Sequence, residues 1–171
     1  MNYKIKLKRI QHFIFDIDGV LTDGTVLING AEFQRTIHSR DSYAIQYASG
    51  LGYNIFLISG GDSAHVKSSF ESLGVTAVYL RSRDKLKVFN VLKEEYQIDA
   101  EDCLYMGDDI PDIPVMRAVG LATAPHDASI DVRAVAEYIS PYFGGRGAVR
   151  DVIEQTLRVQ QRWLMDHAYQ W

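Results

Sequence analysis

The chain has 171 residues, 18 Lys or Arg against 22 Asp or Glu, and is 47% hydrophobic, the size and balance of one globular domain with a core of its own rather than of a disordered or disulfide-stapled chain. A net charge of −4 excludes a basic footprint spread over the chain, so no nucleic-acid partner is expected. Apolar runs of at most six residues fall far short of a membrane span.

The N-terminal MNYKIKLKRIQ carries charge with no long apolar stretch behind it, unlike a secretory leader. The lone Cys103 cannot form an internal disulfide, and the cytoplasm is the expected compartment. No linker or repeat divides the chain, so residues 1–171 are expected to form a single domain. Residues 10–17 read as a short buried strand. Residues 25–28 and 31–36 flank Asn29-Gly30, a two-residue hairpin signal that projects from the sheet. Residues 42–51 read as a helix stopped by Gly52, and Asn54–Ile58 (NIFLI) as a buried strand. Residues 63–73 form the next predicted helix, with Asp62 at its N-cap and Gly74 past its end. A strand is predicted over 77–80, and a helix over Lys85–Tyr96 behind an Asp84 cap. Cys103–Met106 reads as a strand, residues 111–118 as a short helix with proline at its start, and Leu121–Ala124 as a strand. A helix over 130–136, a stub strand at Tyr138–Ile139 and a closing helix over 148–164 complete the chain. Short continuous apolar strands alternating with helices predict an α/β fold, a parallel Rossmann-like sheet with helices on both faces.

Chemistry gathers at the predicted strand ends. The first strand ends in Asp16-Ile17-Asp18-Gly19, the second in Ser59-Gly60-Gly61 and the fourth in Gly107-Asp108-Asp109, with Asp112 three residues on. In open α/β sheets ligands bind outside the carboxyl ends of the strands. Asp and Gly also make turns, which is the plain alternative for any one of these stretches. Taken as a set, the acids suit a hard divalent cation. The Ser-Gly-Gly turn can aim backbone N–H groups at a phosphate. Lys85, opening the next helix, adds a point charge.

DIDGVLTDG, ISGG, Lys85 and GDDIPD, in that order and spacing, resemble the four-motif signature of the haloacid dehalogenase superfamily of phosphatases. GGRGAVRD at 144–151, the hairpin and the Arg40-Asp41 pair resemble one branch, the 3-deoxy-D-manno-octulosonate 8-phosphate (KDO 8-phosphate) phosphatases. The resemblance implies hydrolysis of KDO 8-phosphate to KDO and phosphate through an aspartyl-phosphate intermediate, in lipopolysaccharide sugar synthesis. It implies Asp16 as nucleophile, and Asp18 as general acid, then base. Mg²⁺ would be held by Asp16, Asp108 and the Asp18 backbone carbonyl. Ser59, with the amides of Gly60 and Gly61, would hold the phosphoryl oxygens, and Lys85 would neutralise nucleophile and phosphate. Asp109 would reach the metal through water or meet a substrate hydroxyl, and Asp112 would orient Lys85 or its loop.

His38, Ser39, Arg40, Asp41 and Ser42 stand where the branch binds substrate; equally, Asp41 or Ser42 caps the helix that follows. Arg146 reads as a ligand for the sugar carboxylate on a mobile glycine-flanked loop, or as a salt-bridge residue. The chain departs from the branch in three places: Ser42 replaces a glycine, and arginines are missing at Gly61 and Ser69. Only 34 residues separate Gly24 from Ser59 and 22 separate Lys85 from Asp108, too few for a cap domain in either gap. Closure by a neighbouring chain, through the hairpin and the stretch 144–171, predicts a homo-oligomer, and the resemblance implies a tetramer. The nearest alternative is a phosphatase for a nine-carbon sugar acid 9-phosphate. A non-catalytic assembly module and a phospho-acceptor signalling domain are alternatives from other classes, neither of which needs Asp18.

Overall fold

Strands that are apolar on both sides need cover on both faces, and the computed structural model, which describes residues 2–30, 32–62 and 64–170, provides it. The elements, in chain order, are α1 (Tyr3–Lys6), β1 (His12–Phe15), β2 (Leu27–Asn29), β3 (Glu32–Gln34), α2 (Ser39–Gly50), β4 (Asn54–Ile58) and α3 (Ala64–Glu71). There follow β5 (Ala77–Tyr79), α4 (Lys85–Tyr96), β6 (Cys103–Met106), α5 (Ile113–Met116), β7 (Leu121–Ala124), α6 (Ile130–Val135), β8 (Tyr138–Ile139) and α7 (Ala148–Val159). Six strands pair in parallel in the order β5-β4-β1-β6-β7-β8, while β2 and β3 form a separate antiparallel hairpin.

Alternation along each strand divides the core in two. Phe13, Phe15, Ile55, Leu57, Leu104 and Met106 pack on the face covered by α2, α3 and α7. Ile14, Phe56, Ile58 and Tyr105 pack on the other, with Phe89 of α4, Val115 of α5 and Val132 of α6. The strand order reverses between β1 and its two neighbours, β4 and β6. That switch point opens a crevice at the carboxyl ends of these strands. No helix among the described residues is long and apolar enough to cross a membrane.

The observed elements correct the predicted ones in places. Asn29 pairs with Glu32 in the hairpin, so Asn29 belongs to the strand rather than to the predicted Asn29-Gly30 turn; Ala31 lies outside the described residues, as does Ser63, the predicted start of α3. α2 begins at Ser39, three residues early. α7 ends at Val159 rather than 164, because Gln161 adopts φ +58° and Arg162 turns its guanidinium to the Leu51 carbonyl. Nor is α7 a spare arm for a neighbour: Val149, Val152, Ile153 and Leu157 are buried in this chain's own core. The tail beyond it docks, with Ala168 buried and its carbonyl accepting from the Tyr43 hydroxyl.

Candidate active site

β1, β4 and β6 end at one crevice, and each delivers a polar residue to it. Asp16 follows β1, Ser59 follows β4, Asp108 follows β6 by two residues, and Lys85 opens α4. Asp16, Ser59 and Lys85 are buried, although all three are polar or charged. Burial of such groups requires partners, and Asp16 and Lys85 find theirs in each other while Ser59 finds its own in the turn that follows it. Lys85 Nζ lies 3.0 Å from Asp16 Oδ2 and 2.6 Å from Asp112 Oδ1. Ser59 Oγ accepts from the Gly61 amide at 3.1 Å, fixing the turn that lines the cavity.

Asp112 performs both roles expected of it. Fully buried, it accepts at Oδ1 from Lys85 and from the Tyr105 hydroxyl, and at Oδ2 from the amides of Asp108 and Asp109 at 3.0 and 3.2 Å. It positions the lysine and the acidic loop together. Gly19 does the corresponding work on the first loop. Its φ is +90°, and a Cβ there would stand 2.0 Å from Asp108 Oδ2, so only glycine lets the chain turn after Asp18 beside the second carboxylate.

Asp16, Asp108 and Asp112 bring one carboxylate oxygen each within 4.8 Å of one another. Asp112 already receives four donors, which leaves Asp16 and Asp108 for a cation. Asp108 Oδ1 is buried and, among the described residues, has no hydrogen-bond partner. Burial, then the charges of Asp16 and Asp112, push the Asp108 carboxyl up to about 8. Burial, then Asp112, pushes Asp16 up to about 6 against the pull of Lys85. Burial works against the Lys85 ammonium, but Asp16 and Asp112 outweigh it and raise its pKa. Two crowded carboxyls whose charged forms are disfavoured by burial and by each other, one of them with an unpartnered oxygen, fit a divalent cation taken up through oxygen ligands.

The remaining predicted residues divide. Asp18, Gly60, Gly61 and Asp109 line the same cavity as Asp16, Ser59, Lys85 and Asp108, about 330 Å³ in volume. The Asp109 carboxylate is exposed and accepts from the Ile110 amide. His38, Arg40 and Arg146 line a different cleft of about 420 Å³ beside α7, with Arg150 and Arg158. Arg146 forms an exposed ion pair with Asp23 at 3.3 Å. Its loop is pinned rather than mobile, because Gly144 N donates to Asp127, Gly145 N to the Val20 carbonyl and Gly147 N to Asp41. A Cβ on Gly144 would stand 1.9 Å from the Gly19 carbonyl oxygen, so the glycine pair lies directly on the loop that carries Asp18. Asp41, expected among the substrate contacts, is fully buried, and its carboxylate accepts from the amides of Gly147 and Arg150 at 3.1 and 2.7 Å. It caps a helix as the alternative reading holds, but the helix is α7 and not its own. Ser39 is exposed at the start of α2, and Ser42 Oγ bonds the His38 carbonyl; neither lines the two cavities.

Arg35 was not legible as a site residue. From the base of the hairpin it holds Asp18 with two bonds, Nε to Oδ1 at 2.6 Å and Nη2 to Oδ2 at 3.0 Å. Its only signal in the sequence is that it is the one Lys or Arg between Asp18 and Arg40.

Comparison with known proteins places these features. A family model for haloacid dehalogenase-like hydrolases matches residues 43–120, a span that includes Ser59, Lys85 and Asp108 but not Asp16 or Asp18. The chain is 36% identical over 156 residues to the 3-deoxy-D-manno-octulosonate 8-phosphate phosphatase KdsC of Escherichia coli (strain K12), across 91% of this chain and 83% of that protein. To the KdsC of Yersinia pestis it is 34% identical over 154 residues, across 90% and 82%. Among solved structures, the phosphatase of the same name from Moraxella catarrhalis, in complex with a magnesium ion, a phosphate ion and a KDO molecule, matches with a TM-score of 0.91 at 32% identity, over 95% of each chain.

Proposed function

This chain belongs to the haloacid dehalogenase-like hydrolases, among the 3-deoxy-D-manno-octulosonate 8-phosphate phosphatases, and from that premise we propose that it hydrolyses KDO 8-phosphate with Mg²⁺ through an aspartyl phosphate. One observation carries the reading: a buried carboxylate, Asp16, stands against a buried lysine at the sheet's switch point, with Asp18, Ser59 and Asp108 around the same cavity. In this reading the Asp16 carboxylate attacks phosphorus. Asp18 gives a proton to the departing sugar oxygen and later takes one from the water that hydrolyses the aspartyl phosphate. Ser59 and the amides after it hold phosphoryl oxygens, and Lys85 stands against the charge of the phosphate. Mg²⁺ would be held by the carboxylates of Asp16 and Asp108 and the Asp18 backbone carbonyl, supplying positive charge that lets one anion approach another. The working unit is a homo-oligomer, a tetramer in keeping with the branch.

The test is phosphate release from a panel containing KDO 8-phosphate and nine-carbon sugar acid 9-phosphates, with and without Mg²⁺. KDO 8-phosphate is expected to give the highest kcat/KM, and excess chelator to remove activity. A preference of more than tenfold for a nine-carbon substrate would move the chain to that neighbouring specificity. Full activity in chelator would overturn the role of the metal.

A further inference from the structure

Arg35 is a charged side chain with only 9% of its surface exposed, held by the carboxylate of Asp18, which lines the catalytic cavity. Nε and Nη2 are occupied by Asp18. Nη1 is buried and, among the described residues, has no hydrogen-bond partner. A buried guanidinium nitrogen without an acceptor is rare and calls for one. The surroundings say which kind. Arg35 shares a narrow cleft with Asp18, Ser59 and Gly61, and the last three also line the catalytic cavity, where the phosphoryl group is proposed to sit. A side chain at position 61 would intrude on this arrangement, since a Cβ there would lie 3.3 Å from both Arg35 Nη2 and Asp18 Oδ2. Glycine at 61 therefore leaves the place beside the phosphate cradle to a guanidinium that arrives from the hairpin.

We propose that Arg35 is a substrate-binding residue of this site, contacting a phosphate oxygen through Nη1 while Nε and Nη2 hold the Asp18 carboxylate in place. The planar fork suits the double task. Its donors are fixed relative to one another, so one guanidinium spans a carboxylate and a second oxyanion. The Asp18 oxygens retain lone pairs beyond those taken by Arg35 and the Thr22 hydroxyl, and one of these can hold the proton that Asp18 gives to the leaving oxygen. The inference rests on the phosphatase reading of the site, but not on which sugar the enzyme prefers.

The experiment therefore measures binding of inorganic phosphate to the full-length protein with Mg²⁺ by titration calorimetry, alongside KM and kcat for 4-nitrophenyl phosphate. Arg35→Ala is expected to weaken phosphate binding at least tenfold and to raise KM for the aryl phosphate in parallel. Arg35→Lys, which keeps the charge and loses the fork, is expected to keep part of the phosphate affinity and to lose kcat. In the double variant Arg35→Ala with Gly61→Arg, a guanidinium again reaches the cleft, now from the other wall, and phosphate affinity is expected to recover by tenfold or more. Unchanged phosphate affinity in a folded Arg35→Ala protein would overturn the proposal. So would a loss with no recovery in the double variant, which would assign the defect to misplacement of the hairpin. Should Arg35→Ala fail to fold, Arg35→Gln, which keeps a polar amide donor but no charge, takes its place with the same outcomes. A protein that binds phosphate through Arg35 but ignores KDO 8-phosphate would leave this inference standing and remove the substrate assignment.

Discussion

Asp16 and Asp108 are buried carboxyls raised to about 6 and about 8, each by burial first and then by its acidic neighbours, so they titrate as one interacting group. The sign of the consequence is fixed. A carboxyl raised in the folded state keeps a proton that the unfolded chain has released. Without metal, the pair's contribution to stability is complete below about pH 4 and is lost as pH rises through 6 to 8. A cation on the same oxygens must displace those protons, so its binding strengthens over that window. The rise in Tm produced by saturating Mg²⁺ is therefore expected to grow from pH 6 to pH 8, measured by thermal unfolding with and without the ion. A gain in Tm that does not change with pH would remove this pair from the metal site. Asp16→Asn tests the nucleophile. The amide keeps the shape of the side chain but cannot attack phosphorus, so turnover is expected to vanish while the folded protein and its assembly persist. Phosphate release above background by the purified variant would assign the attack to another group.

The Asp41 carboxylate ties two helices together. It belongs to the first turn of α2, yet its acceptors serve the Gly147 and Arg150 amides at the start of α7, which have no carbonyl of their own helix to meet. Asp41→Ala leaves both donors buried and unpaired, at a cost of about 2–4 kcal/mol. That corresponds to a fall in Tm of roughly 5–15 °C for a domain of this size. A loss below about 1 kcal/mol would show that water replaces the cap. The same residue shows where sequence patterns stop. β4, β6, β7, β8 and α4 have the predicted limits, because a buried strand is an apolar run bounded by polar residues and Asp84 does cap α4, accepting from Lys87 N. α2 and α7 depart from prediction because tertiary partners set their ends. An acidic residue followed by an apolar run looks like a cap for its own helix, and nothing local says it serves a helix that starts 106 residues on. The site divides in the same way. Asp16, Ser59, Lys85 and Asp108 were legible because strand ends and a helix start place them. Arg35 was not, because its reach to Asp18 depends on how the hairpin returns to the loop after β1.

The molecule leaves its catalytic cavity open on one side and its hairpin without cover. Leu27, Ile28 and Phe33 on the hairpin are 61%, 68% and 54% exposed. An isolated two-stranded hairpin is marginal in water, and apolar side chains clustered on it mark an interaction surface. With no cap domain among the described residues and a hairpin whose base reaches Asp18 through Arg35, a second copy seated on the hairpin tip would close the site from outside. The cleft beside α7 carries Arg40 and Arg146, while Arg150 and Arg158 in the same cleft are paired with Glu154. Arg146 is available to an incoming carboxylate, because its exposed pair with Asp23 is worth little. Arg146→Ala is thus expected to leave Tm within a few degrees of wild type and to raise KM for KDO 8-phosphate but not for 4-nitrophenyl phosphate; equal effects on both substrates would reduce Arg146 to a surface charge. For the assembly itself, sedimentation of the intact protein is expected to show a species well above 19.3 kDa. Replacing Ile28 and Phe33 together by Glu sets like charges against the surface that the apolar side chains would cover. This double variant is expected to sediment as a folded monomer, with turnover of KDO 8-phosphate reduced more than that of 4-nitrophenyl phosphate, since the larger substrate has more to gain from a closed site. A stable wild-type monomer with full activity on the sugar phosphate would show that one chain closes its own site, and the exposed hairpin would then need a different partner.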